Sequence, residues 1–530
     1  MSNRLRFALM ATAFPLAFAI PVAQAATPQE TLVIATQLDG LITFDPGESY
    51  EIIGQELGTN IYDRLVRYEA EDLSKLVGGV AESWTVSPDS KTFTFKLRPN
   101  LKFASGAPVT ADDMAWSIQR VVLMDKTPAF LFTQLGWTKD NVKTLVQATD
   151  PHTLTFKITE DLAPSLVLNL MSTLAASPVE KKVAMANDKD GDLGNAWLKT
   201  HSAASGAYNL VSWKADESVV LEANPTYHLG APKLKRVIVR HVPEPATQRL
   251  LLEKGDIDVA RDLSPDQLGP LSENKEIRIE SFPGGDNYYL GMNLTEEHMK
   301  NPKVRQAMKM LVDYDGMAKT FLKGRFIVQQ TFLPIGFMGA IPYNPWKLDV
   351  AKAKSLLAEA GYPNGFEIEF TTPNLSPWTE IAQSVQQTMG QAGIKLKLVQ
   401  VELKQELATF RGRKHQMVLN SWAPDYFDPH SNADTFAHND DDSDTPKIKP
   451  LAWRTHWLIP EITKQTLAAA QEADTAKRIK MYEDLQKKVT DDGPFILMFQ
   501  DANQVAMRSN VKNYKLGLFA DFYYYRTVSK

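Results

Sequence analysis

The chain has 530 residues, a formal net charge of −5, 23% charged and 44% apolar residues, and no cysteine. That length exceeds what one core holds and predicts two or three domains of an ordinary soluble type. The charge leaves no footprint for nucleic acid, and the missing thiol excludes disulfides, thiolate metal sites, iron–sulfur clusters and thiol catalysis.

The first 25 residues read as a secretory leader. Arg4 and Arg6 form a basic start, Phe7 to Val22 an apolar stretch, and Ala23-Gln24-Ala25 a small-x-small cleavage site before Ala26. The cleavage site has no cysteine, which excludes a lipid anchor there, and no later run reaches 18 apolar residues. The expectation is an exported chain, most simply in a bacterial periplasm.

After the leader, Thr92–Asn100 and His152–Thr159 alternate apolar and polar residues, as strands of an antiparallel layer do. Between them Gly106 and Pro108 make a turn, and Thr110 caps a helix with Asp113 at the capping-box position. The middle of the chain alternates strand and helix. Leu234–Val242 is a β-branched strand, followed by a helix that Gly255 stops and a short strand, Ile257–Ala260. One helix is expected from the Asn301 cap and Pro302 through to Gly324, and another from Asp349 to Gly361. Phe366–Thr372, Ile394–Glu402 and His415–Asn420 read as strands, separated by helices over Ser376–Gly393 and Glu402–Arg413. Two amphipathic helices, Pro460–Glu472 and Asp474–Thr490, precede a strand at Phe495–Gln500. This rhythm predicts an α/β chain with mixed sheets covered by helices.

In open α/β sheets, ligands sit outside the carboxyl ends of strands. The stretch Ser421–Phe436, SWAPDYFDPHSNADTF, lies just past such an end. It sets Asp425 three residues after Trp422, and an acid beside a large aromatic is costly unless a cation meets it. His430, Asp434 and His438 have the spacing of one helix face, which suits a metal, but Pro429 points to a loop there. Asp440, Asp442 and Asp444 imitate the start of a calcium loop, yet Pro446 stands in place of the glycine and Leu451 in place of the glutamate, so a solvated loop is expected. No nucleophile elbow, phosphate loop, zinc-protease motif or dinucleotide fingerprint is present, so neither catalysis nor a cofactor is expected.

Several spans, in order, resemble the dipeptide/oligopeptide and nickel class (family 5) of bacterial extracellular solute-binding proteins. They are Val80–Arg120, Ser205–Trp213, Leu221–His228, Leu251–Asp258, Tyr288–Asn293, Asn301–Asp313 and Ser421–Pro429. The resemblance implies a two-lobed periplasmic binding fold of type II, cluster C-like, with an extra subdomain at about residues 69–200. Lobe I would comprise residues 26–282 plus 495–530 and lobe II residues 283–494, with crossings near Pro283 and Pro494. It implies a monomer that closes on a peptide or other amine-bearing solute and delivers it to an inner-membrane ABC permease. Asp425 would pair with the ligand's ammonium, with Trp422 and Tyr426 beside it. Tyr288, Trp378 and Thr43, the last in the loop Asp39–Ser49, are further candidates to line the ligand. One departure matters. Thr371–Gln387, where dipeptide binders carry an arginine for the peptide carboxylate, contains neither arginine nor lysine. A small non-peptide amine or guanidine therefore stays open as the ligand, as does a nickel or metallophore complex; a periplasmic hydrolase is the least favoured reading.

Overall fold

The computed structural model describes residues 27–69, 72, 73 and 75–530. The leader assigned to residues 1–25 lies outside the described residues. A mixed sheet runs through both halves of the molecule. In spatial order its strands are Lys395–Val401, Glu367–Pro373, Met417–Trp422, Ile277–Met292, Phe495–Arg508, Val259–Ala260, Thr31–Thr36, Arg236–His241, Ser218–Ala223 and Tyr208–Lys214, with Phe326–Val328 paired beside Phe495–Arg508. Parallel pairs occur on each side: Thr31–Thr36 with Arg236–His241, and Glu367–Pro373 with Lys395–Val401. Such pairs need covering crossovers: the helix Trp378–Gly390 spans the second pair, and the helix Pro245–Lys254 carries the chain from Arg236–His241 to Val259–Ala260, the parallel neighbour on the other side of Thr31–Thr36.

Two cores lie at the two ends of this sheet. One gathers Leu32, Ile34, Val237, Val239, Val505 and Met507. The other gathers Leu290, Met292, Phe370, Leu396, Leu419, Ile496, Met498 and Phe499. The strands Ile277–Met292 and Phe495–Arg508 belong to both and pair with each other along their length. Their register slips between Pro283 and Asn287. The two glycines at the slip have no room for side chains: a methyl group on Gly284 would meet the Asp501 carboxylate, and one on Gly285 would sit 2.6 Å from the Leu518 carbonyl oxygen. Because Ile496, Met498 and Phe499 pack in the second core, the return crossing falls around Gln500–Asn503 and not at Pro494. Apolar side chains on both faces of residues 495–499 hold them in the ladder beside Leu290 and Gly291.

A separate antiparallel sheet, ordered Ala81–Val86, Thr92–Leu97, Thr153–Lys157, Val146–Asp150, packs with the helix Ala111–Met124. Its core includes Phe93, Phe95, Phe156 and Trp137. Thr110 and Asp113 form the full capping box at that helix, an arrangement that contributes about 1 kcal/mol.

Three local expectations change. The long helix from Asn301 breaks into Pro302–Lys309 and Tyr314–Lys319. Asp313 causes the second start, because its carboxylate accepts the Gly316 N–H at 2.9 Å and so competes with continued helix. The strand read as His415–Asn420 is Met417–Trp422, since Ser421 and Trp422 still pair with Tyr288 and Asn287. Pro429 does not mark a loop. It is the first residue of the helix Pro429–Phe436, and Asp428 caps that helix by accepting the His430 N–H at 2.8 Å.

Candidate functional site

The strand Met417–Trp422 ends where Pro424, which has no N–H to offer, interrupts the ladder. The next residue, Asp425, is tied back to the helix behind it: its N–H donates to Ser431 Oγ at 2.8 Å. From the opposite lobe, the Tyr50 hydroxyl donates to the Asp425 carbonyl at 3.1 Å and to its Oδ1 at 3.2 Å. Among the described residues Asp425 has no cationic partner, and Oδ2 has no hydrogen bond. Burial pushes its carboxyl above the usual range, the Tyr50 bond partly opposes that, and the Asp434 charge adds to it.

Asp425 lines a cavity of about 240 Å³ between the lobes. Tyr50, Gln55, Arg261 and Tyr523 come from the first lobe, Ala423 and Pro424 from the second, and Asp286, Asp501 and Asn503 from the crossing strands. Asp286 and Asp501 face each other, with the Asp286 N–H donating to Asp501 Oδ1 at 2.9 Å. Burial raises both carboxyls, and the Asp286 charge raises Asp501 further, so the pair holds a proton well above the ordinary carboxylate range. The cavity's guanidinium, Arg261, gives one nitrogen to Glu56, 2.7 and 2.5 Å from its two oxygens, and lies over the Tyr523 ring at 5.3 Å. Its other nitrogens have no hydrogen-bond partner among the described residues' side chains. The arrangement is thus acid-rich with aromatic walls, which suits a cationic group.

A second cavity, about 330 Å³, shares Leu518 with the first. It is lined by Phe282, Pro283, Ile335, Leu516 and Phe522 and contains none of the three acids.

The six residues singled out in the sequence separate in space. Asp425 lines the 240 Å³ cavity, and the other five do not. Trp422 turns its indole into the second lobe's packing, with Nε1 buried and unpartnered. Tyr426 inserts into the core of the subdomain, its hydroxyl 3.5 Å from Gln134 Oε1. Tyr288 and Trp378 pack on each other, ring centres 4.8 Å apart, against the second core. Thr43 is buried and accepts the Asp45 N–H at 3.0 Å, holding its own loop. The residues that sequence reasoning passed over are Tyr50, Arg261, Asp286, Asp501 and Tyr523. Asp286 and Asp501 were within reach, because each sits beside the glycines or the strand of a crossing segment.

The acids elsewhere find partners inside the fold. Asp428 takes Arg478 Nη2 at 2.6 Å and Nη1 at 2.9 Å, and Asn169 Nδ2 at 2.7 Å. Asp442 accepts from Arg413 and lies 3.0 Å from His456 Nδ1, so that member of the acid run is anchored and not merely solvated. His438 Nδ1 lies 2.6 Å from Asp434, while His430 stands 3.9 Å from it. Among the described residues, Asp39, Asp216 and His241 come close enough to surround an ion. There, however, the Leu38 N–H donates to His241 Nδ1 at 3.0 Å, which leaves the ring proton on Nε2, facing the acids. That tautomer cannot offer Nε2 to a metal.

Two lobes joined by paired crossing strands, with a cavity between them, define a solute-binding protein of the periplasmic type. Comparison with known proteins gives the family. The model of the bacterial extracellular solute-binding proteins, family 5 middle, matches residues 75–444, and the chain belongs to that family. It is 30% identical over 526 residues to the probable D,D-dipeptide-binding periplasmic protein DdpA of Escherichia coli K12, covering 97% of each chain. It is 26% identical over 465 residues to the glutathione-binding protein GsiB of Pectobacterium atrosepticum, covering 86% of each. Among solved structures, the ABC transporter-associated binding protein DppA of Helicobacter pylori, in complex with the peptide STSA, superposes with a TM-score of 0.72 at 23% identity, over 94% of this chain and 98% of that one. These relatives are binding proteins and not enzymes.

Proposed function

We propose that this chain is the exported receptor of an ABC importer, which captures a short peptide between its lobes with the peptide's ammonium on Asp425. One observation carries the reading: Asp425 is a largely buried acid without a cation of its own, at the rim of an interlobe cavity. A charge-assisted bond from the ligand supplies what the fold withholds. The relatives support the peptide class, since DdpA is named for D,D-dipeptides and GsiB for the tripeptide glutathione. The name of DdpA also supports a periplasmic location. Binding shifts an open–closed equilibrium, and the permease reads the closed form.

The runner-up ligand is a small amine without a carboxylate. It is favoured by the acid pair Asp286–Asp501 and by the absence of arginine and lysine from Thr371–Gln387. A peptide carboxylate would turn to the unused nitrogens of Arg261. The test is to purify the mature protein, denature it and identify the released small molecules by mass spectrometry. Peptides are the expected result. A single amine lacking a carboxylate would replace the peptide reading with the runner-up.

A further inference from the structure

The slip in the crossing strands is a bulge. Pro283 pairs with Ala502 and Asn287 with Gln500, so Gly284, Gly285 and Asp286 stand opposite the single residue Asp501. Backbone groups there lose their ladder partners, and side chains take over. Asp501 Oδ1 accepts the Asp286 N–H at 2.9 Å, and Gln500 Nε2 donates to the Gly284 carbonyl at 2.7 Å. On its other side Asp501 pairs with Phe326, which fixes its backbone. The point about which the lobes can turn is thus latched by a carboxylate.

That latch faces a second acid, since Asp286 and Asp501 both line the interlobe cavity. Among the described residues no lysine, arginine or histidine bonds to either. The charged and titratable groups around the pair stand off from it. On the same strand, Tyr288 feels both acids and Arg325, which precedes the strand Phe326–Val328. Tyr523 faces the pair from the C-terminal segment. Arg261 is held on Glu56 and over the Tyr523 ring, and Tyr50 and Asp425 are bonded to each other. Burial therefore raises both carboxyls, and the Asp286 charge raises Asp501 further. Turning the lobes apart admits water to the cavity, which removes the burial cost. It also lets the acids separate at the bulge, which relieves their repulsion. We propose that Asp286 and Asp501 form a proton latch on the hinge: with one proton between them they hold the lobes together, and loss of that proton favours the open form. The sign follows from linkage. The closed form binds the extra proton, so it loses ground as pH rises. The inference concerns the free protein and stands whatever solute the cavity takes.

The chain has no cysteine, so one spin label can be placed on each lobe through Gln37→Cys and Lys404→Cys, both at exposed positions. The test measures the distance between the labels by pulsed paramagnetic resonance, in the mature chain freed of ligand, at intervals between pH 5 and 9. The closed-to-open ratio should fall by roughly tenfold over that range, the equivalent of about one pKa unit between the two forms. Asp501→Asn keeps an oxygen to accept the Asp286 N–H but cannot ionise, so its ratio should stay level. Asp286→Asn leaves the latching bond intact and removes the repelling charge, so it should flatten most of the change. A parent ratio that does not move with pH overturns the latch. So does a pH response that survives in both variants, because the titrating group would then lie elsewhere.

Discussion

Asp425 and Asp428 stand three residues apart in one loop, yet the fold treats them oppositely. Asp428 is sealed, with Arg478 bridging both its oxygens and Asn169 adding a third bond. Asp425 faces a cavity, touched by a tyrosine hydroxyl from the other lobe. A buried acid with its cation built in is a structural element. A buried acid that the fold gives no cation of its own, set against a cavity, is open to one brought by a mobile partner. The aspartates differ in nothing but what the rest of the chain brings to them.

The sharpest way to break that contrast is to take the cation from one acid and the charge from the other. Arg478→Met should destabilise the protein by about 3–5 kcal/mol, because it strands a fully buried carboxylate. Thermal unfolding would show this as a drop of several degrees; an unchanged midpoint would mean that the Arg478–Asp428 pair does not hold the fold. Asp425→Asn should do the reverse, leaving the melting temperature of the free protein level while ligand affinity falls by a hundredfold or more, roughly 3 kcal/mol. Calorimetry with the ligand recovered from the protein measures it, and retained affinity would remove Asp425 from the site.

Smaller effects sharpen the comparison. Asp286 and Asp501 ionise at higher pH in the fold than in the unfolded chain. Carboxyls raised in this way favour folding less as pH climbs from about 4, where the unfolded forms ionise, through the raised range near 6 to 8. Asp501→Asn should therefore gain on the parent protein with rising pH, by about 1–2 kcal/mol at pH 8 and almost nothing at pH 4. Parallel melting curves across that range decide it, and a pH-independent difference would show that the pair is not coupled. The gentlest change is Tyr50→Phe. It removes the donor that holds the Asp425 carboxyl down, so the pH at which ligand binding is half lost should move upward. A titration of affinity between pH 4 and 7 reads that shift.

Much of the fold was legible because strands and caps are local. Thr110 with Asp113, Asp349 and Gly255 mark their helix ends by side-chain chemistry visible in a few residues. Asp425 was legible through the rule that ligands meet strand ends. Its surroundings were not. Tyr50 reaches it across 375 residues of sequence, and Asp286 meets Asp501 across 215. No window along the chain contains such a pair. Tyr288 and Trp378 illustrate the converse: an aromatic suits a pocket wall and a core equally, and these two chose each other.

The two crossing strands carry a mechanical consequence. Ile277–Met292 and Phe495–Arg508 are bonded to one another on both sides of the slip at Pro283–Asn287. Sliding one lobe along the other would tear the ladder, whereas rotation about the slip costs few bonds. The connection therefore behaves as a strap with one compliant axis. The acids Asp286 and Asp501 ride on that axis, where they travel least. Pro424 lies beside Gly285 at the slip, so Asp425 stands close to that axis as well, and it is the first lobe that brings Tyr50 onto it.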